Sequence, residues 1–114
     1  MAFEAAVRPS GDIAVIDLTG EVNASADEEL NRAYAEAVEA GGAKTVLLNF
    51  ADVTYINSTG IAVIVGVLAQ ARGQGTTLAA CGLSDHYREI FEITRLVDFV
   101  TIYDDEASAV GAAT

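Results

Sequence analysis

Two hydroxyls and an amide, Asn57-Ser58-Thr59, stand just after Val53-Thr54-Tyr55-Ile56 and just before an apolar run opening with Gly60-Ile61. A hydroxyl so placed can cap a helix by accepting a first-turn N–H, and either Ser58 or Thr59 can serve. It can also accept a phosphoryl group, which adds about −1.5 to −2 charges. The dipole of the following helix accommodates that charge, so the modification need not unfold the chain; its effect falls on whatever packs against this corner. A third use is anion binding by the free N–H groups of a helix N-terminus, as in a nucleotide-phosphate site. That use lacks a glycine-rich loop here and runs against the charge of the chain. Asn57-Ser58-Thr59 also fits the N-glycosylation pattern, but Met1-Ala2-Phe3-Glu4 has neither the basic start nor the apolar core of a secretory signal, and the match is set aside.

Other reactive side chains do not combine. Cys81, Asp85 and His86 are near one another in sequence, yet they have neither metal-ligand spacing nor a nucleophile-base arrangement. Cys81 is expected as a small buried or half-buried side chain at a strand end, and His86 as an exposed residue in a first helical turn. One cysteine allows no internal disulfide and points to a reducing, cytoplasmic setting. No catalytic set, metal site or cofactor is expected, so a binding protein is favoured over an enzyme.

The elements that must position Asn57-Ser58-Thr59 follow from pattern. At 114 residues, 52% of them apolar, the chain suits a single domain with one core over residues 1–114. Its net charge of −11 repels phosphate backbones and anionic headgroups, which excludes nucleic acid as a natural partner, and no apolar run is long enough to span a membrane. Phe3 to Val7 and Asp12 to Leu18 read as an opening hairpin turning through Arg8-Pro9-Ser10-Gly11-Asp12, with Gly20 closing the second strand. A helix capped by Ser25, with Glu28 three residues on, places Leu30, Ala33, Tyr34, Ala37 and Val38 on one face and stops at Gly41-Gly42. Lys44 to Phe50 reads as a buried central strand, followed by a loop from Ala51 to Asn57.

Ser58 to Arg72 is a helix by length and caps, stopped by Gly73-Gln74-Gly75; it is apolar nearly all round, which leaves some of Ala62, Val65 or Ala69 exposed beside Ser58. Thr76 to Ala80 is a strand, and Ser84-Asp85 begins a helix with Tyr87, Ile90, Phe91 and Thr94 on one face. Asp98 to Tyr103 is the last strand. Asp104 through Val110 forms a terminal helix that frays over Gly111 to Thr114. The fold class is α/β: a mixed, mostly parallel sheet of four to five strands with about four helices packed on it.

Asn57-Ser58-Thr59-Gly60-Ile61, with Asp52-Val53-Thr54-Tyr55-Ile56 before it, resembles the signature of the STAS family: an Asp, two Ser/Thr residues and Gly-Leu/Ile. Leu18-Thr19-Gly20-Glu21-Val22 resembles the family's Gly-Glu-hydrophobic segment, Leu47-Leu48-Asn49-Phe50 its central strand and Arg88 to Leu96 its later helix, so the resemblance covers nearly the whole chain. It implies an anti-sigma-factor antagonist in a partner switch. The unmodified protein would bind a GHKL-type anti-sigma factor that is also a serine kinase, phosphorylation would end that binding, and a PP2C-type phosphatase would restore it. The acceptor maps to Ser58, with Thr59 as the alternative. Partner contacts fall on Asn57, Ser58, Thr59, Gly60, Ile61, Ala62, Val65, Glu21 and Asn23, and the protein is expected as a monomer or weak dimer. A scaffold subunit of a larger signalling assembly is the alternative within the family. Asn57 departs from the pattern, a neutral amide of nearly the same shape where the family has Asp. Turn geometry should survive, while any part the carboxylate plays in orienting the hydroxyl or meeting the kinase is lost.

Overall fold

The computed structural model describes residues 2–41 and 44–113. In chain order they form β1 (Glu4–Ser10), β2 (Ile13–Val22), α1 (Asp27–Gly41), β3 (Thr45–Ile56), α2 (Ser58–Gln74), β4 (Thr77–Cys81), α3 (Asp85–Ile93), β5 (Thr101–Tyr103) and α4 (Glu106–Ala113), with short 3-10 turns at Ala24–Ala26 and Leu96–Asp98. The sheet runs in the order β1-β2-β3-β4-β5. Only the β1–β2 pair is antiparallel, because a two-residue turn joins it, whereas each later strand follows a crossover helix and pairs parallel. This is the α/β sheet with an opening hairpin that the sequence pattern implies.

Alternation along β2 divides the core. Ala14, Ile16, Leu18 and Val22 face α1, α2 and α3, where they meet Leu30, Tyr34, Ile64, Val67 and Phe91 in the main cluster. Ile13 and Val15 face the other way and join Leu47, Ala79 and Cys81 under Ala109 of α4. Each fully buried Val, Leu or Ile contributes about 1.5–3 kcal/mol relative to exposure. A one-residue slip of β2 would turn Ile16 and Leu18 away from the helices, so burial fixes the register. Polar bonds hold α4 on the thinner layer. The Arg8 guanidinium donates to both Asp17 and Glu106, Ser10 donates to Glu106 at 2.7 Å, and Asn49 donates to Asp17 at 2.9 Å.

Several boundaries differ from the sequence pattern. The hairpin turn is only Gly11-Asp12, since Ser10 pairs with Ile13; Pro9 fits within β1 because that strand is the sheet edge and its missing N–H costs no ladder bond. Gly20 does not close β2: at φ 92 it takes up a register irregularity against β3, and the strand continues to Val22. The loop expected from Ala51 to Asn57 is mostly strand, because β2 extends beside it and supplies ladder partners as far as Val22↔Ile56. Ser25 does not cap α1. It lies in the preceding 3-10 turn and turns back onto Asn23, whose Oδ1 accepts its N–H and its hydroxyl. Gly41 is the last described residue of α1, and Gly42 lies outside the described residues. The last strand is shorter than Asp98 to Tyr103. Arg95 at φ 66 starts a 3-10 turn through Asp98, so pairing begins only at Thr101. α4 continues through Gly111 to Ala113, and Thr114 lies outside the described residues.

Candidate functional site

The carboxyl ends of β2 and β3 meet the amino end of α2 in one corner, the usual place for a site in an open α/β sheet. Asn57, not Ser58 or Thr59, caps α2. Its backbone is extended (φ −97, ψ −178), and its Oδ1 accepts the Gly60 N–H at 2.8 Å and the Thr59 hydroxyl at 2.7 Å. An amide whose oxygen receives two hydrogen bonds is a strong cap; it engages the Thr59 hydroxyl and leaves that of Ser58 free for other uses. The cap asks nothing of the amide nitrogen, so the carboxylate usual in the family would satisfy the same two donors.

Two further contacts lock the corner to the sheet. The Asn57 N–H donates to the Val22 carbonyl at 3.2 Å. A Cβ on Gly60 would lie 2.0 Å from that same carbonyl oxygen, so the helix approaches the strand end more closely than any side chain permits. Thr59 Oγ1, besides donating to Asn57, accepts the Ala24 N–H at 3.1 Å and so ties the first turn of α2 to the turn that leads into α1. The Tyr87 hydroxyl of α3 accepts the Ile56 N–H at 2.9 Å and fixes the end of β3.

Ser58 stands apart in this network. It is exposed at the first residue of α2, and its hydroxyl has no hydrogen-bond partner among the described residues. The neighbouring sequence-derived contact residues surround it in different degrees. Ala62 and Val65 are exposed on α2, as is Ala69, so the apolar helix does leave an uncovered strip. Ile61 is half-buried, and Gly60 is buried against β2. Asn23 caps the 3-10 turn next to Ala24, and Glu21 sits on β2 in register with Tyr55, which is 53% exposed. The residues expected to carry chemistry outside the corner stay outside it. Burial, with the carboxylates of Glu106, Asp105 and Asp17 nearby, pushes the Cys81 thiol up to about 11. His86 is exposed beside the Tyr87 ring. Among the described residues no group of three His, Cys, Asp or Glu side chains can hold a metal ion, and no helix is long and apolar enough to cross a membrane.

Residues 4–109 match the STAS domain family model. The chain belongs to the STAS domain family. It is 30% identical over 96 residues to the anti-sigma-B factor antagonist of Listeria monocytogenes, covering 84% of this chain and 83% of that protein. Among solved structures it resembles an anti-sigma factor antagonist from Mycobacterium paratuberculosis, with a TM-score of 0.80 and 18% identity over 97% of this chain and 93% of that one. It also resembles the Bacillus cell fate determinant SpoIIAA in its phosphorylated form, with a TM-score of 0.71 and 20% identity over 99% and 100% of the two chains. At these identities the structural likeness is one of fold.

Within this STAS domain the contributions of Thr59, Tyr87 and Val22 to the corner were not legible as site features. Thr59 reads as a second acceptor until its bond to Ala24 is seen, and Tyr87 reads as one face of a helix. The Gly in the motif was the available signal: a glycine in a first helical turn is unfavourable by roughly 1 kcal/mol unless something occupies the space of its side chain, which here is the Val22 carbonyl.

Proposed function

We propose that this STAS domain, acting as one unit over residues 1–114, is an anti-sigma-factor antagonist whose unmodified form binds a GHKL-type anti-sigma factor and frees the sigma factor. It serves as a binding module and not as an enzyme. The partner's kinase activity transfers the γ-phosphoryl group of ATP to the Ser58 hydroxyl, binding is lost, and a PP2C-type phosphatase removes the phosphate by hydrolysis. The observation that carries this reading is the contrast between the two hydroxyls. Ser58 is exposed and unengaged, whereas Thr59 both donates to Asn57 and accepts from Ala24. A phosphate on Thr59 would remove the proton that bonds Asn57 and crowd the Ala24 N–H. A phosphate on Ser58 breaks no bond of the fold and sits at the favourable end of the α2 dipole. The names of the relatives support the antagonist role, and the fold neighbour in phosphorylated form supports a switch by phosphate.

The phosphate acts on the partner. It adds about −1.5 to −2 charges and strong acceptors beside an exposed apolar strip, where a docked surface would have to desolvate them. Incubation with ATP and a GHKL-type anti-sigma factor, followed by mapping of phosphate by mass spectrometry, tests the assignment. Phosphate on Ser58 in the wild type and in Thr59→Ser, absent from Ser58→Ala, is expected; phosphate on Thr59, or none with a partner that binds, would refute it.

A further inference from the structure

The exposed face of α2 continues well past the Ser58 corner. Ser58, Ala62, Val65, Ala69 and Arg72 are all exposed and follow one another at helical spacings of three or four residues. They form one stripe about 21 Å long at 1.5 Å per residue. At its far end the stripe borders an open groove of about 360 Å³, where Val65, Leu68, Ala69, Leu96 and Phe99 present apolar surface and Arg72 lies at the rim. Val65 is 43% and Phe99 52% exposed, and Phe99 also borders an adjoining hollow with Val97, itself 38% exposed. Three of the five large apolar side chains exposed among the described residues thus gather at this end of α2. The turn begun by Arg95 keeps Phe99 out of the sheet and holds it there.

Charge marks the same place, although Lys44, exposed just before β3, is likewise without a carboxylate among the described residues. Arg8, Arg32, Arg88 and Arg95 each bond a carboxylate. Arg72 bonds none among the described residues; its guanidinium lies over the Phe99 ring, 4.9 Å from the centroid. In a chain of net charge −11, a cation left without a carboxylate at the edge of an apolar groove is complementary to an acidic group on whatever fills that groove. A second copy of the chain would bring another −11 against it and is disfavoured.

We infer that the groove is a second docking element for the same kinase-type partner, and that its occupant is an amphipathic helix of that partner carrying a carboxylate beside its apolar face. The inference rests on the proposed antagonist function and deepens it. Apolar side chains of the incoming helix at i and i+3 or i+4 fill the groove between Val65 and Phe99, while its carboxylate takes a forked bond from Arg72. The groove contributes affinity whatever the state of Ser58, and the phosphate acts at the other end of the stripe. Val65 belongs to both surfaces, but Arg72 lies about 20 Å along the helix from Ser58, so the effects of changing Arg72 or Phe99 and of a phosphate on Ser58 multiply independently.

Calorimetric titration of a GHKL-type anti-sigma factor with the full chain and its variants tests this. Phe99→Ser and Arg72→Glu are each expected to weaken binding at least about tenfold with the circular dichroism spectrum unchanged. Combined with Ser58→Asp, each should weaken binding by the product of the single effects. Phe99→Gln takes the place of Phe99→Ser should the latter fail to fold. If Phe99→Ser and Arg72→Glu bind like wild type while Ser58→Asp does not bind, the groove is not a docking element and the switch at Ser58 stands. If the wild type itself binds no such partner, the antagonist reading falls and this inference with it. Light scattering supplies the last outcome: a wild-type dimer that Phe99→Ser converts to a monomer would make a second copy the occupant and overturn the inference.

Discussion

Gly60→Ala places a methyl group where the fold leaves no room. The ideal Cβ lies 2.0 Å from the Val22 carbonyl oxygen and 2.6 Å from its carbon, both backbone atoms that cannot swing aside. Relieving the clash even to the shortest tolerable contact, 3.0 Å, requires α2 and the end of β2 to part by about 1 Å, which stretches the 3.2 Å bond from Asn57 to Val22 and the 3.1 Å bond from Ala24 to Thr59 beyond hydrogen-bonding range. Overpacking of this kind costs about 1–3 kcal/mol, and each weakened hydrogen bond adds about 0.5–1.5 kcal/mol. Alanine's better helix propensity returns roughly 1 kcal/mol. The net expectation is a loss of about 1–5 kcal/mol, centred near 3, which for a chain of this length lowers the melting temperature by about 12 °C at the centre of that range. Thermal and urea unfolding followed by circular dichroism give the number directly. The same substitution at Gly66, which has nothing within 4 Å, serves as the control and should stabilise slightly. A Gly60→Ala protein that melts within 2 °C of wild type would show that the close approach of helix and strand does not hold the corner.

Other expectations follow from neighbouring contacts. Asn57→Ala removes the cap and should cost about 1 kcal/mol in urea unfolding, whereas Asn57→Asp should match or exceed wild type because a carboxylate accepts from the same two donors and suits the helix dipole. Thr59→Val should slow phosphorylation of Ser58 without abolishing it, since it loosens the first turn and leaves the Ser58 hydroxyl in place; complete loss of incorporation would instead make Thr59 the acceptor. The Arg8 guanidinium holds Asp17 and Glu106 below the usual carboxylate range. Their contribution is therefore fully present above their unfolded values near 4 and is lost as pH falls through the lowered folded values. The stability advantage of wild type over Arg8→Gln should shrink from pH 5 toward pH 2, and a difference constant across that range would count against the ion cluster.

Much of the fold was legible because burial dictates it. The apolar runs at Ile13-Ala14-Val15-Ile16, Val46-Leu47-Leu48 and Leu78-Ala79-Ala80 read as strands, the second as a buried central one, and the helices between them force parallel pairing. Ser84 caps α3, and Cys81 is buried at the end of β4, as their surroundings in sequence implied. The misread boundaries share a cause. Asp52-Val53-Thr54-Tyr55 has turn-like polarity, and only the neighbouring β2, extended past Gly20, supplies the ladder that makes it strand. Phe99 reads as a strand residue until the left-handed Arg95 diverts the chain. At the candidate site the motif and its helix were legible, but the division of labour within it was not. Ser58 and Thr59 have equivalent chemistry in sequence, and they differ because Ala24, 35 residues away, bonds one of them.

The antagonist role turns on whether a phosphate at Ser58 closes this surface to its partner. The direct measurement is the affinity of a GHKL-type anti-sigma factor for the unmodified protein and for protein carrying phosphate on Ser58 alone, with both forms shown by circular dichroism to share one fold. Burying a doubly charged group against a docked surface costs several kcal/mol, so the phosphorylated form should bind at least about a hundredfold more weakly at an unchanged fold. Equal affinity of the two forms, or tighter binding of the phosphorylated one, would contradict a switch at Ser58.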